Sequence, residues 1–240
     1  MEDRPDHARG RRHRPQDLYL SFDRPSSPPS LELASVEWID FTPGSLPAYA
    51  AGWQTVRPSS AAVAEEPGDV LAITSQWGDL RAANNNAANV LVRDVGTRDF
   101  TATVTVENRP ATYATGAGLV VYLDDNSYVA ILRSNYGTPR VRLLNETNGG
   151  LAEREVPDPG TGPLRLRLQR VGTQVTVSFS QDGTAWTPVS PAVTNTMLDP
   201  TTELKVGVLA SKGTYTTPDP TIRFSGFTLD DEPVAFFADH

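Results

Sequence analysis

Apolar and polar residues alternate along much of the chain with a period of two. Phe100, Ala102, Val104 and Val106 interleave with Thr101, Thr103 and Thr105. Leu164, Leu166 and Leu168 interleave with Arg165 and Arg167, and Val175, Val177 and Phe179 with Thr176, Ser178 and Ser180. An extended backbone turns successive side chains to opposite faces, so each run predicts a half-buried antiparallel strand. The stretches 118–122 and 206–210 are apolar almost throughout and predict central strands. Between such runs stand Asp124-Asp125-Asn126, Asn148-Gly149-Gly150 and Asp182-Gly183, the residues of tight turns. No segment of ten or more residues carries a sustained helical stripe. Residues 79–90 come nearest, but their Asn84-Asn85-Asn86 run is poor for helix. Short strands with turns between them predict an all-β fold, a sandwich or barrel.

Composition divides the 240 residues unequally. Residues 1–30 hold five prolines and six arginines against five acids, with one short apolar patch at Leu18-Tyr19-Leu20. Such a segment buries too little surface to offset its ordering entropy, and it reads as a disordered Arg/Pro-rich leader. The sandwich is expected over 31–240. A chain of this length commonly forms a single β-sandwich domain. The overall formal charge of -8 argues against a nucleic-acid partner, which calls for a clustered basic surface. No apolar run is long enough to span a bilayer, and no apolar leader core is visible, so no membrane partner is expected. The compartment stays open, cytoplasmic or secreted with a leader removed.

The absence of cysteine removes disulfides, thiol nucleophiles and Cys-based metal sites. The three histidines, His7, His13 and His240, all lie in the terminal segments, which leaves the body without Ser-His or Cys-His catalysis. No glycine-rich phosphate loop is present. Neither a cofactor nor a metal is expected. Paired carboxylates are the one enzymatic route left, and glycoside hydrolysis needs two in a cleft. Glu37 and Asp40 stand three apart, on opposite faces of an expected first strand, and Asp124 and Asp125 sit in a turn.

Several motifs occur in a telling order: Asp99-Phe100-Thr101, then the stretch from Gly116 through Gly118 to Tyr122, then Asp125 to Tyr128. Leu164-Arg165-Leu166-Arg167 follows, then Ser180 to Trp186 with Asp182-Gly183 at its centre, and finally Phe224 to Phe227. The order resembles the concanavalin A-like jelly-roll domain at the C-terminus of glycoside hydrolase family 43 β-xylosidases and arabinofuranosidases. It is also similar to stand-alone domains of unknown function with that fold. The resemblance covers about residues 35–230, without the catalytic propeller of those enzymes. It implies a two-sheet antiparallel β-sandwich and a sugar-associated module that binds polysaccharide or oligosaccharide, or packs on a glycoside hydrolase partner. The motif residues also have plain structural readings. Asp182-Gly183 suits a hairpin with Trp186 packed into the sandwich, Gly116 and Gly118 suit close backbone approach, and Tyr122 and Tyr128 suit a cross-strand pair.

Sugars are held by aromatic faces and by Asn, Asp or Arg at their hydroxyls. The densest such set is Trp77, Asp79, Arg81, Asn84, Asn85 and Asn86, with Tyr113 and Tyr136 in other connections that could converge on it. The candidate ligand-binding residues are therefore Trp77, Arg81, Asn84, Asn86, Tyr113 and Tyr136. The structural alternative is a core-edge tryptophan followed by a solvated loop. Trp38 and Trp53 sit in apolar contexts and read as core. Arg140, Arg142, Arg165, Arg167 and Arg223 point away from the apolar positions, either lining one sheet for an acidic glycan or pairing with surface carboxylates. A small glycosidase using two carboxylates, or a structural or protein-interaction module, stays as the alternative.

Overall fold

The computed structural model describes residues 46–82, 84–215 and 218–238. The Arg/Pro-rich leader, Glu37, Trp38, Asp40 and all three histidines lie outside them. The strands in chain order are β1 (Trp53–Val56), β2 (Val63–Glu66), β3 (Val70–Thr74), β4 (Val90–Gly96), β5 (Phe100–Val106), β6 (Thr115–Asp124), β7 (Ser127–Asn135) and β8 (Pro139–Thr147). Then come β9 (Gly150–Pro157), β10 (Leu164–Val171), β11 (Gln174–Ser180), β12 (Thr187–Pro188), β13 (Val193–Thr194), β14 (Leu204–Lys212), β15 (Thr221–Leu229) and β16 (Glu232–Pro233). Among the described residues the only helical element is one 3-10 turn, Ser60–Ala62.

These strands build two antiparallel sheets. One has seven strands in the order β1-β4-β14-β6-β7-β8-β9; the other has nine, running β12-β11-β10-β5-β15-β3-β2 with β13 and β16 attached. The alternating runs do what their period demands. Phe100, Ala102, Val104, Val106, Leu164, Leu166 and Leu168 are buried against Leu119, Val121, Val129, Ile131, Val206 and Val208 of the facing sheet. Trp53 joins this core, edge-on to Phe227 at 5.0 Å and stacked on Phe236 at 5.4 Å. Its indole N–H donates to the Ala235 carbonyl at 2.8 Å.

The central strands β6 and β7 are buried along nearly their whole length. Their second face carries a separate apolar cluster of Val120, Tyr122, Tyr128, Ala130 and Leu132 with Val90, Val92, Leu144 and Leu209. The β3–β4 connection closes over it and contributes Leu80 and Ala87. This explains why β6 reads as continuously apolar: both faces are covered, one by the other sheet and one by a loop. Tyr122 and Tyr128 face each other in register, as their spacing around the turn predicts. Among the described residues strand β9 forms one edge of the sheet, and it is largely exposed.

Two sequence readings change in detail. Trp186 is not a core residue; it lies half-buried beside the nine-stranded sheet with the Arg167 guanidinium 3.6 Å from its ring centroid. The polar-face arginines do not line one sheet. Arg140 and Arg142 stand on β8, whereas Arg165, Arg167 and Arg223 belong to the other sheet. Arg140, Arg142 and Arg223 pair with Glu155, with Glu153 and Glu155, and with Glu66 respectively.

Candidate functional site

The β3–β4 connection is held by hydrogen bonds that its own sequence supplies. The Asp79 backbone N–H donates to Asn86 Oδ1 at 3.0 Å, and the N–H groups of Asn86 and Ala87 donate back to the Asp79 carbonyl at 3.0 and 3.2 Å. The Asp79 carboxylate accepts from the Arg81 N–H. Asn85 and Asn89 adopt left-handed backbone conformations that asparagine tolerates better than most residues. Farther along, Arg57 donates to the Ala87 carbonyl at 2.6 Å while its guanidinium grips Asp125 at 2.7 and 3.0 Å. The asparagine-rich run is thus a pinned cover over an apolar sheet face.

Long-range pairing brings the other candidates alongside. Gly78 and the end of β14 exchange backbone hydrogen bonds, Gly78 N–H to Lys212 O at 3.0 Å and Lys212 N–H to Gly78 O at 3.1 Å. Gly213 N–H donates to Ala114 O at 2.8 Å, and Ala114 N–H to Asn135 O at 2.7 Å. One continuous ladder therefore runs from Trp77-Gly78 through Lys212-Gly213 and Tyr113-Ala114 to Asn135-Tyr136. At about 4.8 Å per step, it carries aromatic residues across roughly 10–15 Å of one sheet end. Trp77 stacks on Tyr215 with centroids 4.2 Å apart and planes at 16°. Tyr113 meets Tyr136 edge-on at 5.8 Å. Trp77 and Tyr215 remain 46% and 74% exposed, and Tyr113 and Tyr136 53% and 38%, so all four rings keep open area.

Beside Tyr136, between the β3–β4 connection and strands β6, β7, β8 and β14, lies a narrow well. Asp79, Arg81, Ser134, Tyr136, Arg142 and Ser211 supply its polar atoms, over a floor that includes Tyr128, Ala130 and Leu132. Its closed interior leaves about 20 Å³ of room, enough for one water-sized group. Arg81 makes a two-pronged ion pair with Glu153 at 2.8 and 3.0 Å, and Arg142 reaches the same carboxylate at 3.0 Å. The Arg142 guanidinium also lies 4.5 Å from the Tyr136 ring centroid. Gly213 lies close by, and a Cβ there would stand 3.0 Å from Asp79 Oδ2.

The acids around the well are tuned in opposite directions. Burial raises the Asp79 carboxyl above the ordinary aspartate range, against the opposing hydrogen bond from the Arg81 N–H. Burial likewise raises Glu146, whose Oε2 accepts from the Ala82 N–H at 3.0 Å. Glu153 is lowered instead, because Arg81 hydrogen-bonds its charged form. A carboxyl whose folded pKa is raised favours the folded state most when protonated and becomes a cost as pH climbs through its folded pKa. Asp79→Asn should therefore gain on the parent in melting temperature as pH rises from below the normal carboxylate range to neutrality. Thermal melts of both proteins across that range check this; a difference that stays flat with pH would contradict it.

All six candidate residues lie in this one region, in distinct roles. Trp77, Tyr113 and Tyr136 present open rings, and Arg81 closes one side of the well. The side chains of Asn86 and Asn84 serve the loop, Asn86 through Asp79 N–H and Asn84 toward the Asp79 carboxylate. Sequence reasoning passed over Glu146, Glu153, Ser134, Ser211 and Tyr215. The available signal for Glu146 was a charged residue following the apolar Leu143-Leu144 pair on a buried strand. The others had none short of the pairing itself.

Residues 40–215 match the family model of the β-xylosidase C-terminal concanavalin A-like domain. The fold aligns with the glycoside hydrolase family 43 protein BlXynB of Bacillus licheniformis at a TM-score of 0.66 and 20% identity, covering 75% of this chain and 36% of that one. It aligns with the xylan β-1,4-xylosidase of Bacillus halodurans C-125 at 0.66 and 18%, covering 85% and 41%. A functionally unknown protein from Saccharomyces cerevisiae aligns at 0.55 and 18%, covering 76% of this chain and 96% of that one. The chain thus spans about two fifths of the two bacterial proteins and nearly the whole of the yeast one. At such identities the likeness is one of fold. A search of curated proteins finds no match.

Proposed function

The chain belongs to the β-xylosidase C-terminal concanavalin A-like domain family, and from that premise we propose that it is a non-catalytic glycan-binding module. The observation that carries the reading is a polar well lined by the open Tyr136 ring, which meets Tyr113 edge-on, with the stacked Trp77–Tyr215 pair on the same backbone ladder. Aromatic faces cover the apolar side of a sugar ring, and Asp79, Ser134 and Ser211 offer partners for its hydroxyls. The arginines here are already matched by Glu153 and Glu155, which favours a neutral glycan over an acidic one.

Affinity electrophoresis in gels containing xylan, arabinan or arabinoxylan tests the proposal. The parent should be retarded by at least one of them. Trp77→Ala and Tyr136→Ala should each weaken binding roughly two- to tenfold, the worth of about 0.5–1.5 kcal/mol for one aromatic contact. No retardation in any gel, or full retardation by both variants, would remove the basis for the assignment.

One observation favours a second reading, hydrolysis. Carboxyls with opposed pKa shifts, Asp79 against Glu153, are the pattern of an acid and base pair. Against it, Glu146 is wholly buried and Glu153 is engaged by two arginines, which leaves Asp79 as the one acid lining the well. A glycosidase needs two. Release of nitrophenol from aryl xylosides or arabinofuranosides, lost in Asp79→Asn, would establish hydrolysis instead.

A further inference from the structure

The well is blind, and a blind well selects for the end of a chain. Its floor is sealed by Tyr128, Ala130 and Leu132, which are 0%, 1% and 6% exposed. The loop residues Asp79, Leu80 and Arg81 wall one side, and Tyr136 and Arg142 belong to the other. Toward β9 the Arg81–Glu153–Arg142 bridge runs from one wall to the other, a chain of guanidinium–carboxylate contacts of 2.8 to 3.0 Å. A polymer lying across a sheet needs a groove open at both ends, and this bridge blocks one of them. The room in the well, about 20 Å³, admits one hydroxyl-sized group but no sugar ring. The Tyr136 ring, which lines the well and is 38% exposed, is open to stack on a sugar instead.

We infer that the site recognises the terminal residue of a glycan: one hydroxyl-bearing group of that residue enters the well beside Asp79, Ser134 and Ser211, while its ring rests on Tyr136. This rests on the glycan-binding reading and adds to it a class of ligand, chain ends and short branches in place of chain interiors. A terminal unit projects a free edge that can drop into a hole, whereas an internal unit is tethered on both sides.

The test compares the full chain's binding to intact arabinoxylan and xylan with its binding to partial hydrolysates of the same polymers at equal mass. Shortening multiplies chain ends while leaving total sugar constant. End recognition predicts that titration calorimetry gives a molar capacity per gram rising in proportion to the number of ends. A capacity unchanged by shortening, or lost once chains become short, means chain-interior binding; it overturns this inference and leaves the module a glycan binder. No binding to polymer or fragments overturns both. Ser211→Val, which adds carbon where the well is narrow, should weaken fragment binding roughly tenfold or more, as a buried hydroxyl loses its place, with the melting temperature held near that of the parent. A stable Ser211→Val protein that binds fragments as the parent does would show that the well is not entered.

Discussion

Gly207→Ala should yield no folded protein. Gly207 lies mid-strand in β14, paired with Val92 of β4 on one side and Val120 of β6 on the other. A Cβ at this position would stand 1.9 Å from the Leu91 carbonyl oxygen and 2.7 Å from Val92 Cα. Those are backbone atoms of a neighbouring strand, fixed by their own ladder, and no rotamer change relieves the collision. An ordinary overpacked core site costs about 1–3 kcal/mol. Here the sheet must part at its centre, and the loss rivals the whole stability of a domain, about 5–15 kcal/mol. Circular dichroism melts should show no cooperative transition for Gly207→Ala. Gly118→Ala should behave alike, since its Cβ would stand 2.0 Å from the Ile131 carbonyl oxygen. Gly116→Ala is the control: the nearest atom there is the flexible Leu132 Cδ1 at 3.2 Å, and that variant should fold. A Gly207→Ala protein melting within a few degrees of the parent would refute the steric account.

The second large effect lies at a buried ion pair. The Arg133 and Asp158 side chains are 1% and 0% exposed, with Nε to Oδ2 at 2.7 Å and Nη2 to Oδ1 at 3.1 Å. The same guanidinium donates to the carbonyls of Gly162 at 2.7 Å and Gly160 at 2.5 Å, so one side chain organises the β9–β10 connection. Removing one partner strands a charge out of reach of water. Asp158→Ala should cost about 3–5 kcal/mol, and at about 2–4 °C per kcal/mol the midpoint should fall by roughly 6–20 °C. Removing both charges is a different matter, because a buried pair often contributes little net stability over apolar replacements. In an Arg133→Met background, Asp158→Ala should cost far less than in the parent. Equal costs in the two backgrounds, measured as a double-mutant cycle by denaturant unfolding, would show that the pair is uncoupled.

Much of the sandwich was legible because period-two alternation is a local signal that the tertiary fold does not override. The phase of β5 and β10 could be read directly, and Phe100, Ala102, Leu164 and Leu166 all face the core. The close approach at Gly118 was also legible, since a glycine amid bulky strand residues implies a backbone neighbour. Trp186 was misread for an instructive reason. A tryptophan after a hairpin suits a core equally well as a polar outer face, and the nearby Arg167 decides for the latter. In the site, the aromatic and asparagine residues announced themselves by type. Their convergence did not, because Trp77 reaches Tyr113 and Tyr136 only through pairing with Lys212 and Gly213, more than a hundred residues away. Glu153 gave no sign of its part, since an acid in the charged run Glu153-Arg154-Glu155 of an exposed strand resembles any solvated charge until Arg81 arrives from across the loop.

Strand β9 carries a consequence of its own. An outermost strand offers unpaired backbone groups along its free flank, a template on which another molecule can extend the sheet. Here that flank bears Glu153, Arg154 and Glu155 in succession and ends at Pro157, which has no N–H to give. Charges and proline discourage such zipping between copies. The carboxylate that Arg81 and Arg142 hold beside the well thus also belongs to the row of charges that discourages strand addition along this edge.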